Sequence, residues 1–196
     1  MIQKLRRTNL WSLEQYAQER PVFRQQMIAH KKNRRLVLGD HASLYFEDFL
    51  TMKYQVQEML RAERIYEPGE ILEEIETYNP LIPDGHNWKA TFMIEYADAQ
   101  VRQQALTRMA GIEAKVWVQI NGFEKVYAIA NEDLERSTDE KSAAVHFLRF
   151  ELTDTMIGAV KRSTAISFGI DHSELPYIVE RLDAQLQSSL IADLET

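Results

Sequence analysis

Apolar side chains recur along this chain with two periods, near 3.6 and near 2, and the two alternate without a repeat. Over residues 49–65, Phe49, Met52, Val56, Met59 and Leu60 return to one helical arc about a third of the circle wide, so the stretch reads as a central amphipathic helix. Glu63 falls inside that arc, with Arg61 and Arg64 beside it. A carboxylate on a core-facing stripe is costly unless it meets a cation or a ligand. The pattern therefore predicts a buried Glu63, with Arg34, Arg35, Arg149 or His146 as the partner from another segment, unless the helix frays near Ala62 and Glu63 points outward.

Before this helix, Ser12-Leu-Glu-Gln15 is a capping box that opens a short helix carrying Leu13, Tyr16 and Ala17. Pro21 sits where a second helix would place its first residue, and Val22, Phe23, Met27 and Ile28 give that helix its apolar side. Strands are expected at 36–38 and 43–47 around a Gly39-Asp40 turn. After it, 70–78 forms an acidic helix with Ile71, Leu72 and Ile75 inward, and 79–85 is a turn-rich connection with two prolines. Residues 88–96 alternate as a strand with Trp88, Ala90, Phe92, Ile94 and Tyr96 on one face, and 98–109 is helical.

Asn121-Gly122 between two alternating runs predicts a hairpin of 115–120 with 123–130 through a two-residue turn. Residues 143–152 carry apolar side chains on both faces and belong inside a sheet. Thr153-Asp154 caps a helix to Lys161, and 165–170 is a strand. From Ser173, Leu175, Ile178, Val179, Leu182, Leu186, Leu190 and Leu194 follow a near-heptad spacing. That predicts a long C-terminal helix over 173–196 and, through its seam, a homodimer or a partner contact. Mixed element order with a hairpin gives an α+β class: one domain over 1–196, a largely antiparallel sheet covered by helices, and a helical N-terminal segment over 1–35.

Composition narrows the chemistry. With 196 residues and 45% apolar content the chain can bury one core. It has no cysteine, which removes disulfides, thiol nucleophiles and cysteine-held zinc or clusters. No apolar run reaches the roughly 18 residues of a membrane span, and the basic start MIQKLRRTNLW lacks the apolar stretch of a signal peptide. A soluble, cytoplasmic protein is the expectation. The net charge of −7 argues against nucleic acid as a partner. Residues 1–64 carry +5 and the rest −12, so the halves attract one another within one fold, or the basic half faces an anionic ligand or acidic partner.

The densest basic run is His30, Lys31, Lys32, Arg34 and Arg35, close to Arg20 and Arg24. It is an anion site or a solvated helix end. His146 shares a strand face with Ala144, Leu148, Phe150 and Leu152, as a core histidine, a base or a ligand; Arg149 and Glu151 face the other way, where a cross-strand salt link explains them. The five histidines have no short metal spacing, so a metal site would be assembled from His30, His41, Glu63 and His146. There is no Gly-rich phosphate loop and no GxSxG, and no motif names a cofactor. Asp171-His172 is at a strand end before a cap, where turn chemistry also suffices. If there is a pocket, Glu63, Arg61, Arg64, His146 and the 30–35 cluster would bound it. It would suit an anionic small molecule, with the arginines holding charge and Glu63 or His146 moving a proton.

The segments IAHKKNRR, FEDFLTMKYQVQEMLRAERI, YNPLIPDG, NWKATFMIEY and LERSTDEKSAAVHFLRFEL resemble a bacterial family known as domain of unknown function 3501. The likeness runs from about Leu13 to His172. The resemblance brings no established activity with it, so no catalytic residue carries over. The resemblance implies a context: gene neighbours encoding rubrerythrin-type and iron–sulfur electron-transfer proteins, peroxide defence or oxidative stress, and a non-enzymatic accessory protein docking a redox partner.

Overall fold

The computed structural model describes residues 3–130, 132 and 142–195; the Leu134–Lys141 part of the last resemblance segment lies outside them. Helices α1 (Leu13–Lys32), α2 (Phe49–Glu63), α3 (Pro68–Tyr78), α4 (Ala99–Arg108), α5 (Asp154–Lys161) and α6 (Ala184–Ile191) accompany two antiparallel sheets. The first contains β1 (Arg35–Val37), β2 (Ala42–Phe46), β3 (Asn87–Ile94), β6 (Ile129–Ala130) and β7 (Val145–Glu151), in the order β1-β2-β3-β7-β6. The second contains β4 (Val116–Ile120), β5 (Val126–Tyr127), β8 (Ile166–Ile170) and β9 (Tyr177–Val179), in the order β5-β4-β8-β9. The class is α+β, and β7 is an interior strand between β3 and β6.

Strict alternation gives the five-stranded sheet two different faces. Leu44, Phe46, Trp88, Phe92, Leu148 and Phe150 point inward, all at most 2% exposed, against Val116, Val118 and Phe168 of the second sheet. Phe168 is the hub: its ring centroid lies 5.4 Å from Phe46, 5.5 Å from Phe150 and 6.2 Å from Trp88. Trp117 faces the other way and lies across Gly169, its cross-strand partner. A Cβ at Gly169 would come within 2.3 Å of the indole, so only glycine fits there.

The outer face belongs to the helices. α2 lies between α1 and α3, burying Met52, Val56 and Leu60 with Ile71, Ile75 and Ile82. On its other side Leu50 and Tyr54 meet Tyr16, Phe23 and Met27 of α1. This helical layer has its own small cores, separate from the core between the sheets.

Four expectations need correction. The break at Pro21 is absent: α1 is one helix, because Tyr16, Phe23 and Met27 form a single stripe against α2 and the exposed proline forfeits only one hydrogen bond. The hairpin turn forms, with the Phe123 N–H donating to the Ile120 carbonyl at 2.9 Å, but only Gly122 takes a positive φ, 89°. Val118 pairs with Val126, one residue beyond the register of a strict two-residue loop. The returning segment then changes sheets, its residues 126–127 pairing with β4 and 129–130 with β7.

The C-terminal helix forms, but over Ala184–Ile191 rather than from Ser173. Tyr177–Val179 extends the second sheet as β9, and α6 has only eight residues. Leu182, Leu186, Leu190 and Leu194 are buried in this chain's own core, so the heptad seam is spent internally and no longer argues for a homodimer. Finally, Glu63 is exposed. α2 ends there because Arg64 adopts a left-handed conformation, φ 58°, and the Ile65 N–H donates back to the Leu60 carbonyl. That reversal returns Ile65, not Glu63, to the apolar stripe.

Candidate functional site

Where the helical layer meets the outer face of the five-stranded sheet, the surfaces do not close. A cavity of about 390 Å³ remains, walled by Tyr45, Met93, Val145 and Phe147 from the sheet and by Met52, Gln55, Tyr78 and Leu81 from the helical side. Lys31, Arg34, Glu47 and Thr91 supply its charged and hydroxyl groups. The strand period explains the set: Tyr45 and Glu47 are two apart at the end of β2, and Thr91 and Met93 two apart on β3, all on the face opposite the main core. The Thr91 hydroxyl donates to Glu47 Oε1 at 2.6 Å. A smaller recess shares Leu81 and Phe147 with the cavity and is bordered by Lys89, Arg149 and Glu132. Burial holds the Lys89 ammonium below its usual pKa.

Behind the cavity, Arg34 is buried and saturated. Its Nε donates to the Phe46 carbonyl, Nη1 to the Ser189 carbonyl and hydroxyl, and Nη2 to the Glu47 carbonyl and to Asp193 Oδ2 at 2.5 Å. Asp48 Oδ2 lies 3.3 Å from the Arg34 Nε and 2.6 Å from His30 Nε2, while its other oxygen caps α2 at Thr51 N. Burial pushes Asp193 up to about 6 against the opposing pull of Arg34. For Asp48 burial also pushes upward, but the His30 hydrogen bond and the Arg34 charge win and hold it low. The array ties the ends of α1, β2 and α6 together, and Arg34 has no donor left for a ligand.

The sequence candidates thus separate. Of the basic run, Lys31 and Arg34 reach the cavity wall. Arg35 lies over the Tyr45 ring at 5.3 Å and bonds the Ser43 hydroxyl. Arg61 and Arg64 are exposed at the end of α2 with Glu63. Arg149 is clasped by Glu151, two residues on along the same strand, and by Glu132 beyond the end of β6, so the salt link on that face is not the cross-strand pair expected. His41 stacks on Tyr96, with ring centroids 3.9 Å apart. His146 is fully buried on the inner face, opposite to the cavity, where Nε2 lies 3.0 Å from both the Ser142 hydroxyl and the Ala143 carbonyl and 3.9 Å from Glu113. The pocket expected around Glu63, Arg61, Arg64 and His146 does not form, because the first three lie exposed at the end of α2 while His146 is buried in the core. Among the described residues no group of three or more His, Asp and Glu is placed to hold a metal, so His30, His41, Glu63 and His146 do not assemble one.

Sequence reading passed over Glu47, Thr91 and Glu58. Glu58 accepts from the Tyr16 hydroxyl at 2.5 Å and from Arg20 at 2.7 and 2.8 Å. The Arg20 hydrogen bonds lower its pKa to about 2. The one available signal was the second apolar side of α2, Leu50 and Tyr54, which calls for a helix against it.

Among the described residues no helix is long and apolar enough to cross a membrane. A family model described as "Protein of unknown function (DUF3501)" matches residues 4–194. The fold is similar to a crystal structure of a novel protein of unknown function from Burkholderia pseudomallei K96243. That match has a TM-score of 0.94 and 45% identity, covering 98% of this chain and 100% of that one. No curated protein matches.

Proposed function

The chain belongs to the DUF3501 family, and we propose that it is a binding protein for a small organic molecule held between the outer sheet face and the helical layer. The observation that carries this reading is the cavity itself: about 390 Å³, lined mainly by apolar and aromatic side chains, with a few polar groups in fixed positions. Small-molecule sites run from roughly 300 to 1,000 Å³ with that kind of lining. The alternative of an arginine-lined anion site loses support, since Arg34 is saturated and Arg61 and Arg64 are elsewhere.

The test is a ligand-observed NMR screen of small aromatic and aliphatic compounds against wild type and Val145→Trp, which fills the cavity. Compounds that bind wild type and not the filled variant support the reading. Binding unaffected by the filling, or no binding at all, rejects it.

A second reading, docking of a protein partner, has one observation in its favour. Val37, Tyr177 and Ile178 are 49%, 40% and 58% exposed on the edge strands β1 and β9, and the Tyr177 ring packs against Gly39 beside β1. Val37→Lys with Ile178→Lys should abolish co-purification of such a partner without lowering stability; retention of the partner would reject this surface.

A further inference from the structure

The cavity contains one carboxylate whose charge the fold leaves unanswered. Glu47 lines it, half-buried, with Oε1 held by Thr91, and among the described residues no lysine, arginine or histidine nitrogen lies within ion-pair distance. Arg34, which also lines the cavity, takes the Glu47 carbonyl rather than its carboxylate and spends its remaining donors on Asp193, Ser189 and Phe46. Lys31 also lines the cavity, but its ammonium lies 5.6 Å over the Tyr54 ring and makes no ion pair with Glu47.

An anion at an apolar wall is stabilised by a cation or a strong N–H donor brought by the ligand. Tyr78 and Phe147 also line the cavity and give it an apolar wall beside the carboxylate. Thr91 restrains one carboxylate oxygen, so the acceptor is positioned before the ligand arrives.

Resting on the binding reading above, we propose that the ligand is a primary or secondary amine, protonated, with its nitrogen on Glu47 and an apolar body against Met93, Val145 and Phe147.

Three probes with the same body decide it: 4-phenylbutylamine, 4-phenylbutanol and 4-phenylbutyrate, titrated calorimetrically into the full chain at neutral pH. The amine should bind about tenfold or more tighter than the alcohol, and the carboxylate weakest, as a charge-assisted hydrogen bond requires. Glu47→Gln, which keeps the acceptor for Thr91, should remove the amine's advantage over the alcohol. Lys31→Met should leave the order of the three probes intact. Preference for the carboxylate, loss of that preference in Lys31→Met, or an amine preference that survives Glu47→Gln would overturn the amine assignment while the cavity reading stands. Failure of all three probes to bind wild type removes both. The order of the probes on wild type is decisive even if Glu47→Gln does not fold.

Discussion

The two faces of the five-stranded sheet are built from alternate residues of the same strands, yet they do different work. On the inner face, Phe46, Trp88 and Phe150 pack against Phe168 of the second sheet, all of them fully buried. On the outer face, Tyr45, Met93, Val145 and Phe147 look across a cavity to a helical layer that packs chiefly upon itself. Two curved sheets sharing one apolar core interdigitate along their length. A layer with its own small cores touches the sheet at fewer points, held there by polar anchors such as the Arg34 array. Stability therefore concentrates inside, and space for a ligand outside.

The contrast breaks most visibly at its hub. Phe168→Ala should cost about 3–5 kcal/mol in chemical denaturation, since three aromatic partners lose their contact at once. A loss under 1 kcal/mol would mean that the inner face is not the main core.

The anchor between the layers should respond to pH. Asp193 has a folded pKa of about 6, above the 3.8 of an ordinary aspartate. Its folded form holds a proton more tightly than the unfolded chain, so its favourable contribution is present below about 4 and is lost as pH rises through about 6. The change amounts to at most roughly 3 kcal/mol. Melting curves from pH 4 to 8 should show a steeper decline for wild type than for Asp193→Asn; equal slopes would contradict the buried carboxyl.

Within the helical layer, Glu58→Gln should cost roughly 1–2 kcal/mol at neutral pH, allowing for its partial exposure. Here the sign is opposite. A pKa lowered to about 2 from 4.5 gives stability that is present above 4.5 and lost as pH falls through about 2. Wild type and variant should converge in acid; a constant difference down to pH 2 would implicate packing instead.

The smallest effect compares enlargements on the two faces. Val145→Trp, into the cavity, should change stability by less than about 1 kcal/mol, whereas Ala90→Leu on the inner face should cost about 1–3 kcal/mol. Equal penalties would show that the outer face is closed as tightly as the inner.

Local chemistry carries most of what was legible in the sequence. Alternation of Trp88, Ala90, Phe92 and Ile94 defined β3, apolar residues on both faces put β7 inside the sheet, and the Ser12 capping box opened α1. Such signals depend on period and backbone preference, which neighbours in sequence already express. What the fold alone decided depends on groups far apart in the chain. Arg64 in a left-handed turn moved Glu63 to solvent, and no glycine announced it. The leucines after Ser173 met the chain's own sheets rather than a second helix. The cavity joins Glu47 to Thr91 and Val145 to Leu81, pairs that no spacing encodes, because a cavity is the misfit between two layers and exists only once both have packed.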